Sequence, residues 1–478
     1  MKANSRRWCL AILLALFASL IVACGGGGGG AAATSAPPGG AAATSAPADG
    51  AAATSAPADG GAATSAPAGG GGAAAGTCPP SAQGQQITMW SPLTGPDGDE
   101  MTALANQFSQ ENAQGIKVTH TAQPEYLQKL NTAAAGGSLP DMTVIRAGDI
   151  GEMVVRNVLK PMSDEALNAA SGADTLEGQF TEAVWNAGEI EGNRYAVPLD
   201  IHPLVLYYNK DMFQQAGITM PTDRPMTKDE FEQAVNTLTK DGIAGVAIGT
   251  AFQTGAWFQG LLRQFGGQLT DENGTKATYN SEQGVQAATY IHDLKAKTTP
   301  DVNGAGDPEV KLFQQQRAAM VFHGPWHISD MVKLPFVGFA QMPQIGDTYS
   351  VWGNSHQLAL TTEDPAKQAA AGCWIGWLSQ NSVQWAKAGQ VPARESAREG
   401  GDLASVSAPV AAFAQEVESV QFLPPVPGLE GALWGQGFEP ALNSYLLGQT
   451  QDIKAGLDEA AAKSDQIIQE NAQRYQQQ

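Results

Sequence analysis

From residue 86 onward the chain alternates between two hydrophobic periods. Residues 87–90 form a short apolar run ending at a turn, Ser91-Pro92-Leu93-Thr94-Gly95, and a run of that length bounded by turn residues predicts a strand. Met101, Leu104, Ala105 and Phe108 then recur at helical spacing and share one face of a helix. Gly115 ends that helix, and Ile116-Lys117-Val118-Thr119 predicts the next strand. Residues 126–135 read as a helix and Met142-Thr143-Val144-Ile145 as a strand. Strands alternating with amphipathic helices predict an α/β domain with a mostly parallel sheet.

The alternation resumes further on. Thr227-Lys228-Asp229-Glu230 has the form of a capping box, and Phe231, Val235 and Leu238 follow it on one helix face. Val246-Ala247-Ile248 predicts a strand, and Asn273-Gly274 a hairpin turn between Gln268-Leu269 and residues 277–279. Helices are expected from Ser281 and from Pro308, then a strand over 318–322 broken by Gly324-Pro325. Residues 364–379 and 452–475 read as long helices. With the first 84 residues set aside, about 390 remain, too many for one hydrophobic core and enough for two α/β lobes.

Those first 84 residues follow a different pattern. Arg6 and Arg7 precede an apolar run over 10–23, too short for a comfortable membrane span and suited to an export signal. It closes in Leu20-Ile21-Val22-Ala23-Cys24, followed by glycines 25–30. This resembles the lipobox of bacterial lipoproteins, which implies a signal peptide over 1–24 and a lipid-modified Cys24. The segment Ala31-Ala32-Ala33-Thr34-Ser35-Ala36-Pro37 then recurs at 41–47, 51–57 and, with one change, 61–67. These repeats hold no Leu, Ile, Val or aromatic residue, so stacking them would bury almost nothing. Residues 25–84 are therefore expected to be a disordered tether, with an end-to-end distance of about 40 Å.

The chain has 27 Lys and Arg against 47 Asp and Glu, a net charge of −20. An acidic surface argues against nucleic acid and against peripheral binding to anionic lipid. Four Cys occur. Cys9 and Cys24 belong to the signal. For the other two, a buried thiol at Cys373 and an unpaired Cys78 are expected, the alternative being a long-range disulfide in an oxidising compartment.

Several segments, in this order, carry a resemblance: Thr88-Met89-Trp90-Ser91; Gly137-Ser138-Leu139-Pro140-Asp141; Tyr195-Ala196-Val197-Pro198; Leu206-Tyr207-Tyr208-Asn209-Lys210-Asp211-Met212-Phe213; Ala318-Ala319-Met320-Val321-Phe322-His323-Gly324-Pro325-Trp326; and Gly389-Gln390-Val391-Pro392-Ala393-Arg394. Together they resemble the extracellular solute-binding proteins of ABC importers, in the branch that takes maltose-like oligosaccharides and glycerol 3-phosphate. The resemblance implies two α/β lobes, hinged around a ligand cleft. By analogy one lobe spans about 86–200 and 355–400, the other about 205–350 and 405–478. It also implies a non-enzymatic monomer that needs no cofactor, captures a sugar or polyol, and delivers it to permease subunits at the outer face of the cytoplasmic membrane.

Ten Trp residues bear on the ligand. Trp374, Trp377 and Trp385 fall in or just after an apolar helix and are read as core, and Trp185 lies where the pattern assigns no element. Trp90, Trp257, Trp326, Trp352 and Trp434 fall beside turns or Gly/Pro breaks, where an indole can offer its face to the C–H surface of a sugar. The family's ligand-contact segments align with Tyr126, Arg146, Asp200, His202, Gly353 and Gln390. Relative to the glycerol-phosphate branch, Arg146 stands for a Glu, Trp326 for a small hydroxyl residue and Gln390 for a Tyr. The gained indole and lost hydroxyls favour a larger neutral ligand, a di- or oligosaccharide, over glycerol phosphate. Arg394 is read as structural.

An extracellular carbohydrate hydrolase is the enzyme alternative, since acids are plentiful enough for a carboxylate pair. The chain has no Gly-x-Ser-x-Gly, no His-Glu-x-x-His and no phosphate-binding loop. His323 and His327 are four apart, but Pro325 spoils the helix that a paired metal-ligand reading requires. Asp271-Glu272-Asn273-Gly274 lacks the downstream acid of a calcium loop. No metal site is expected.

Overall fold

The computed structural model describes residues 78–172, 175–250, 252–298, 302, 306–399 and 401–475. The expected export signal, Cys24 and the repeats lie outside the described residues. Among those described, no helix is long and apolar enough to cross a membrane.

Eleven strands position the site: β1 (Gln86–Ser91), β2 (Lys117–Ala122), β3 (Met142–Arg146), β4 (Ala196–Pro198), β5 (Asp200–Pro203), β6 (Val205–Asn209), β7 (Met320–His323), β8 (Val337–Ala340), β9 (Gly353–Asn354), β10 (His356–Leu360) and β11 (Val391–Pro392). The first sheet has the order β2-β1-β3-β10-β4. β1 pairs in parallel with β2 and β3, while β10 runs antiparallel to both β3 and β4. Successive residues of a strand point to opposite faces, and the packing follows that rule. Val144 and Leu358 join Met89 and Trp374 in one core, whereas Ile145 and Ala359 join Tyr126 and Leu130 in a smaller cluster.

The second sheet, β8-β6-β7, is antiparallel throughout. Its core gathers Phe231, Val235, Trp257, Phe322 and Leu457. The Lys228–Leu238 helix opens with the expected capping box, Thr227 accepting from the Glu230 amide and Glu230 from the Thr227 amide. The strand expected over 246–248 reduces to parallel bridges of Ala244 with Ala318 and Ala247 with Val321. A tertiary contact competes there: Gly245 lies against the Val235 carbonyl so closely that a Cβ would come within 2.3 Å of it. Around Asn273-Gly274 the pairing is likewise one bridge, Thr270 with Ala277.

A third sheet, β9-β5-β11, is small and antiparallel. β5 connects β4 of the first sheet to β6 of the second, and β9 leads from the second sheet's segment into β10 of the first. The chain therefore crosses between the two lobes at this sheet.

Two expectations about the cysteines and the tether's end need correction. Cys78 and Cys373 form a disulfide across 295 residues, with Cα atoms 5.6 Å apart. The residues after Cys78 are not coil: Pro80–Ala82 is a 3-10 turn whose Ala82 is fully buried in the first core. Packing of Ala82 and partial burial of Cys78 against that core hold the thiol beside the Pro365–Gln380 helix. Pattern alone misses this, because a single apolar Ala carries no period.

Candidate functional site

A cavity of about 290 Å³ opens where the lobes meet, lined by Pro92, Leu93, Asp97, Arg146, His202, Phe252, Trp326, Trp352, Asn354, His356, Gln390 and Glu430. Pro92, Leu93 and Asp97 come from the turn after β1 and the first turn of the Pro96–Glu111 helix. Arg146 ends β3, and His356 pairs with it across the sheet at the start of β10. His202 and Asn354 face each other in the crossing sheet. The remaining wall is Phe252, Trp326 and Trp352, with Gln390 and Glu430. Phe252 stacks on Trp434 at 4.9 Å and 9°, and meets Trp352 edge-on at the same distance. Trp326 lies 6.1 Å from Phe252 and from His202.

Behind the polar wall sits Asp200, with no exposed surface. One carboxylate oxygen accepts from the His356 amide at 3.0 Å and faces His202 Nδ1 at 3.1 Å. The other faces His356 Nδ1 at 2.8 Å and accepts from Trp385 Nε1 at 2.8 Å. Burial alone would raise this carboxyl, but the charge and hydrogen bonds of His356 and His202 outweigh it and hold it below the usual range. The two imidazoles part company. Burial, with the charge of His356, lowers His202 to about 4. For His356 burial pulls down, yet Asp200 and then Asp97 raise it above its ordinary value. The pair thus offers a neutral ring beside a readily protonated one, 4.5 Å apart.

The other charged groups are partly spent on each other. Arg146 Nε donates to Asp149 at 2.8 Å, and the Asp149 charge raises the guanidinium further. Burial raises Asp97, which also accepts from the Gly95 and Gly98 amides. Burial and the nearby Asp149 push Glu430 up to about 7. Its Oε2 has no hydrogen-bond partner among the described residues, nor does Gln390 Oε1. Such buried, unpaired acceptors are costly unless something supplies donors. A ligand rich in hydroxyls does so.

Of the residues singled out from the sequence, Arg146, His202, Trp326, Trp352 and Gln390 line this cavity. Gly353 and Trp434 line a smaller adjoining hollow that shares Trp352, Asn354 and Glu430. Asp200 stands behind the histidines. Tyr126 is buried in the small cluster, its hydroxyl bonded to Thr143 Oγ1, and Trp90 packs against the same cluster. Trp257 lies in the second core, 4.5 Å from Phe322. Sequence reasoning missed Asp97, Phe252, Asn354, His356 and Glu430. A signal existed for two of them: Trp352, Asn354 and His356 alternate along an extended stretch, and that period places them on one side.

The chain belongs to the bacterial extracellular solute-binding proteins, whose family model matches residues 92–385. Members of such a family capture solutes and do not transform them. Among its relatives, the maltodextrin-binding protein MdxE of Bacillus subtilis (strain 168) is 26% identical over 320 residues, covering 63% of this chain and 72% of MdxE. The sn-glycerol-3-phosphate-binding periplasmic protein UgpB of Escherichia coli (strain K12) is 23% identical over 337 residues, covering 65% and 75%. Among solved structures, the GacH receptor of Streptomyces glaucescens, crystallised unliganded and with acarbose, matches with a TM-score of 0.68 at 23% identity, over 81% of this chain and 98% of GacH. That likeness establishes the two-lobed fold.

Proposed function

We propose that this protein captures a neutral di- or oligosaccharide between its lobes and hands it, as a monomer, to the permease of an ABC importer. The observation that carries the reading is the cavity wall: Phe252, Trp326 and Trp352 supply apolar aromatic surface, and Arg146, His202, Asn354, His356 and Gln390 supply hydrogen-bonding groups. Aromatic surface with a few convergent polar groups suits a sugar's C–H faces and hydroxyls. The names of the maltodextrin-binding relative and the acarbose-bound neighbour support the same class. The lobe division that goes with it is about 86–200 with 355–400, and about 205–350 with 405–478.

A glycerol-phosphate ligand, suggested by the name of the second relative, fits the charges less well. Asp97 and Glu430 share the cavity with Arg146, whose Nε already donates to Asp149. A phosphate would face two carboxyls and a cation that is half neutralised.

The proposed location is the outer face of the cytoplasmic membrane, through a lipid on Cys24, with the repeat segment as tether. A tether of about 40 Å keeps the domain near its permease while leaving it free to close on ligand. Changing Cys24 to Ala releases the protein from the membrane fraction and leaves the binding affinity of the soluble domain unchanged. Retention in the membrane would sink the anchor. A thermal-shift screen over mono-, di- and trisaccharides, polyols and glycerol phosphates tests the ligand class, with stabilisation by neutral oligosaccharides and no turnover as the expected result. Stabilisation by glycerol phosphate alone, or hydrolysis of the sugar, would overturn it.

A further inference from the structure

A second carboxylate–imidazole cluster lies behind the cleft's Trp326. β7 ends at His323, and the Pro325–His327 turn folds His327 back until the two rings meet edge-on at 4.1 Å. The pair needs no helix, so Pro325 makes the juxtaposition instead of preventing it. Asp307 reaches both rings, Oδ1 lying 3.5 Å from His323 Nε2 and Oδ2 lying 3.7 Å from His327 Nε2. One ligand atom from each of the three residues lies within 4.8 Å of the others.

These separations are long for hydrogen bonds, which cluster below about 3.2 Å. They are close to the spacing of ligands around one tetrahedral zinc ion, where bonds of about 2.0–2.1 Å place neighbouring ligand atoms roughly 3.3 Å apart. A second observation is independent of them. Gln253 is 6% exposed, its amide nitrogen lies against His323 Nε2 and 3.1 Å from Asp307 Oδ1, and its Oε1 is buried without a partner. Turning that amide by half a turn puts the orphan oxygen onto the cluster as a fourth ligand, an exchange of O and N that coordinates alone do not fix.

We infer that Asp307, His323 and His327, with Gln253, form a binding site for a divalent transition metal, zinc being the ion their nitrogen and oxygen donors suit best. The Gly324 amide lies 2.9 Å from His323 Nδ1, leaving Nε2 as the ring nitrogen that faces Asp307 and Gln253. The Trp326 ring packs directly on Gly324, where an added Cβ would come within 1.9 Å of it. The ion would thus sit against the residue that carries the cleft's indole.

The test is zinc titration of untagged, chelator-stripped protein, followed by calorimetry and by metal content after gel filtration. The expected result is one zinc per chain, with affinity falling by more than about 10-fold in His327→Ala and in Asp307→Asn, since loss of even an outer-shell partner costs that much. Circular dichroism confirms that each variant is folded, and His356→Gln serves as a control for the cleft histidines. No stoichiometric zinc binding, binding unchanged in both variants, or binding lost only in His356→Gln would overturn the site.

Discussion

Two clusters of one aspartate and two histidines flank Trp326, and they are built on opposite plans. Around Asp200 every contact is short, 2.8–3.1 Å, and the carboxylate has four partners and no exposure. Around Asp307 the nitrogen–oxygen gaps are 3.5 and 3.7 Å, the side chain is 41% exposed, and the neighbouring Gln253 keeps an unpaired oxygen. The first is a finished hydrogen-bond network that fixes two cleft imidazoles before ligand arrives. The second leaves room for an ion. The same residue types thus give a positioning device or a ligand set, according to whether the carboxylate's acceptors are already taken.

The sharpest way to break the comparison is to neutralise each aspartate. Asp200→Asn strands a buried, hydrogen-bonded charge partner and is expected to cost about 3–5 kcal/mol of unfolding free energy, read from urea denaturation. Asp307→Asn in metal-free protein is expected to cost less than about 1 kcal/mol, because its ion pairs are long and partly solvated. Equal losses would erase the distinction. Trp326→Ala, between the two clusters, is expected to weaken sugar binding by about 1–3 kcal/mol while the fold persists. Unchanged affinity would remove Trp326 from the site.

A smaller effect comes from pH. His356 is raised in the folded protein, so its contribution is complete below its unfolded value and is lost as pH rises through the folded one. Asp200 is held low and His202 is lowered to about 4. Asp200 therefore contributes stability above its unfolded value and loses it as pH falls, and His202 adds to the acid loss below its own unfolded value. Stability should fade on both sides of a plateau, by no more than about 1.4 kcal/mol per pH unit for each group. His356→Gln should weaken the alkaline arm, to which the raised Glu430 also contributes, and the acid one as well, because Asp200 loses the charge that does most to hold it low. An alkaline arm undiminished in this variant would show that His356 contributes nothing to it.

The fold was largely legible because its first lobe is written in long, clean periods: β1, β2, β3 and the Pro96–Glu111 helix lie within a few residues of where apolar spacing puts them. Fold-wide pairing was less legible. Ala244 and Ala247 bridge where a strand was expected, and Cys78 and Cys373 join across 295 residues that no local pattern connects. The site divides the same way. Trp352, beside a Gly break, was found, and Asn354 and His356 could have been, from their period of two. Trp257 has the same Gly context as Trp352 but does not line the cavity, because what it faces depends on Phe231 and Phe322, distant in sequence. Phe252 and Glu430 carry no local mark at all. Their place in the cavity is made by the lobes meeting.

The most direct test of the central claim is isothermal titration of the exported domain with maltooligosaccharides and with glycerol 3-phosphate, in parallel with Trp326→Ala. Saturable binding of a neutral oligosaccharide, weakened in the variant, with no heat from glycerol 3-phosphate, is the expected result. Binding of the phosphate in preference to any neutral sugar, or sugar binding indifferent to Trp326, would contradict it.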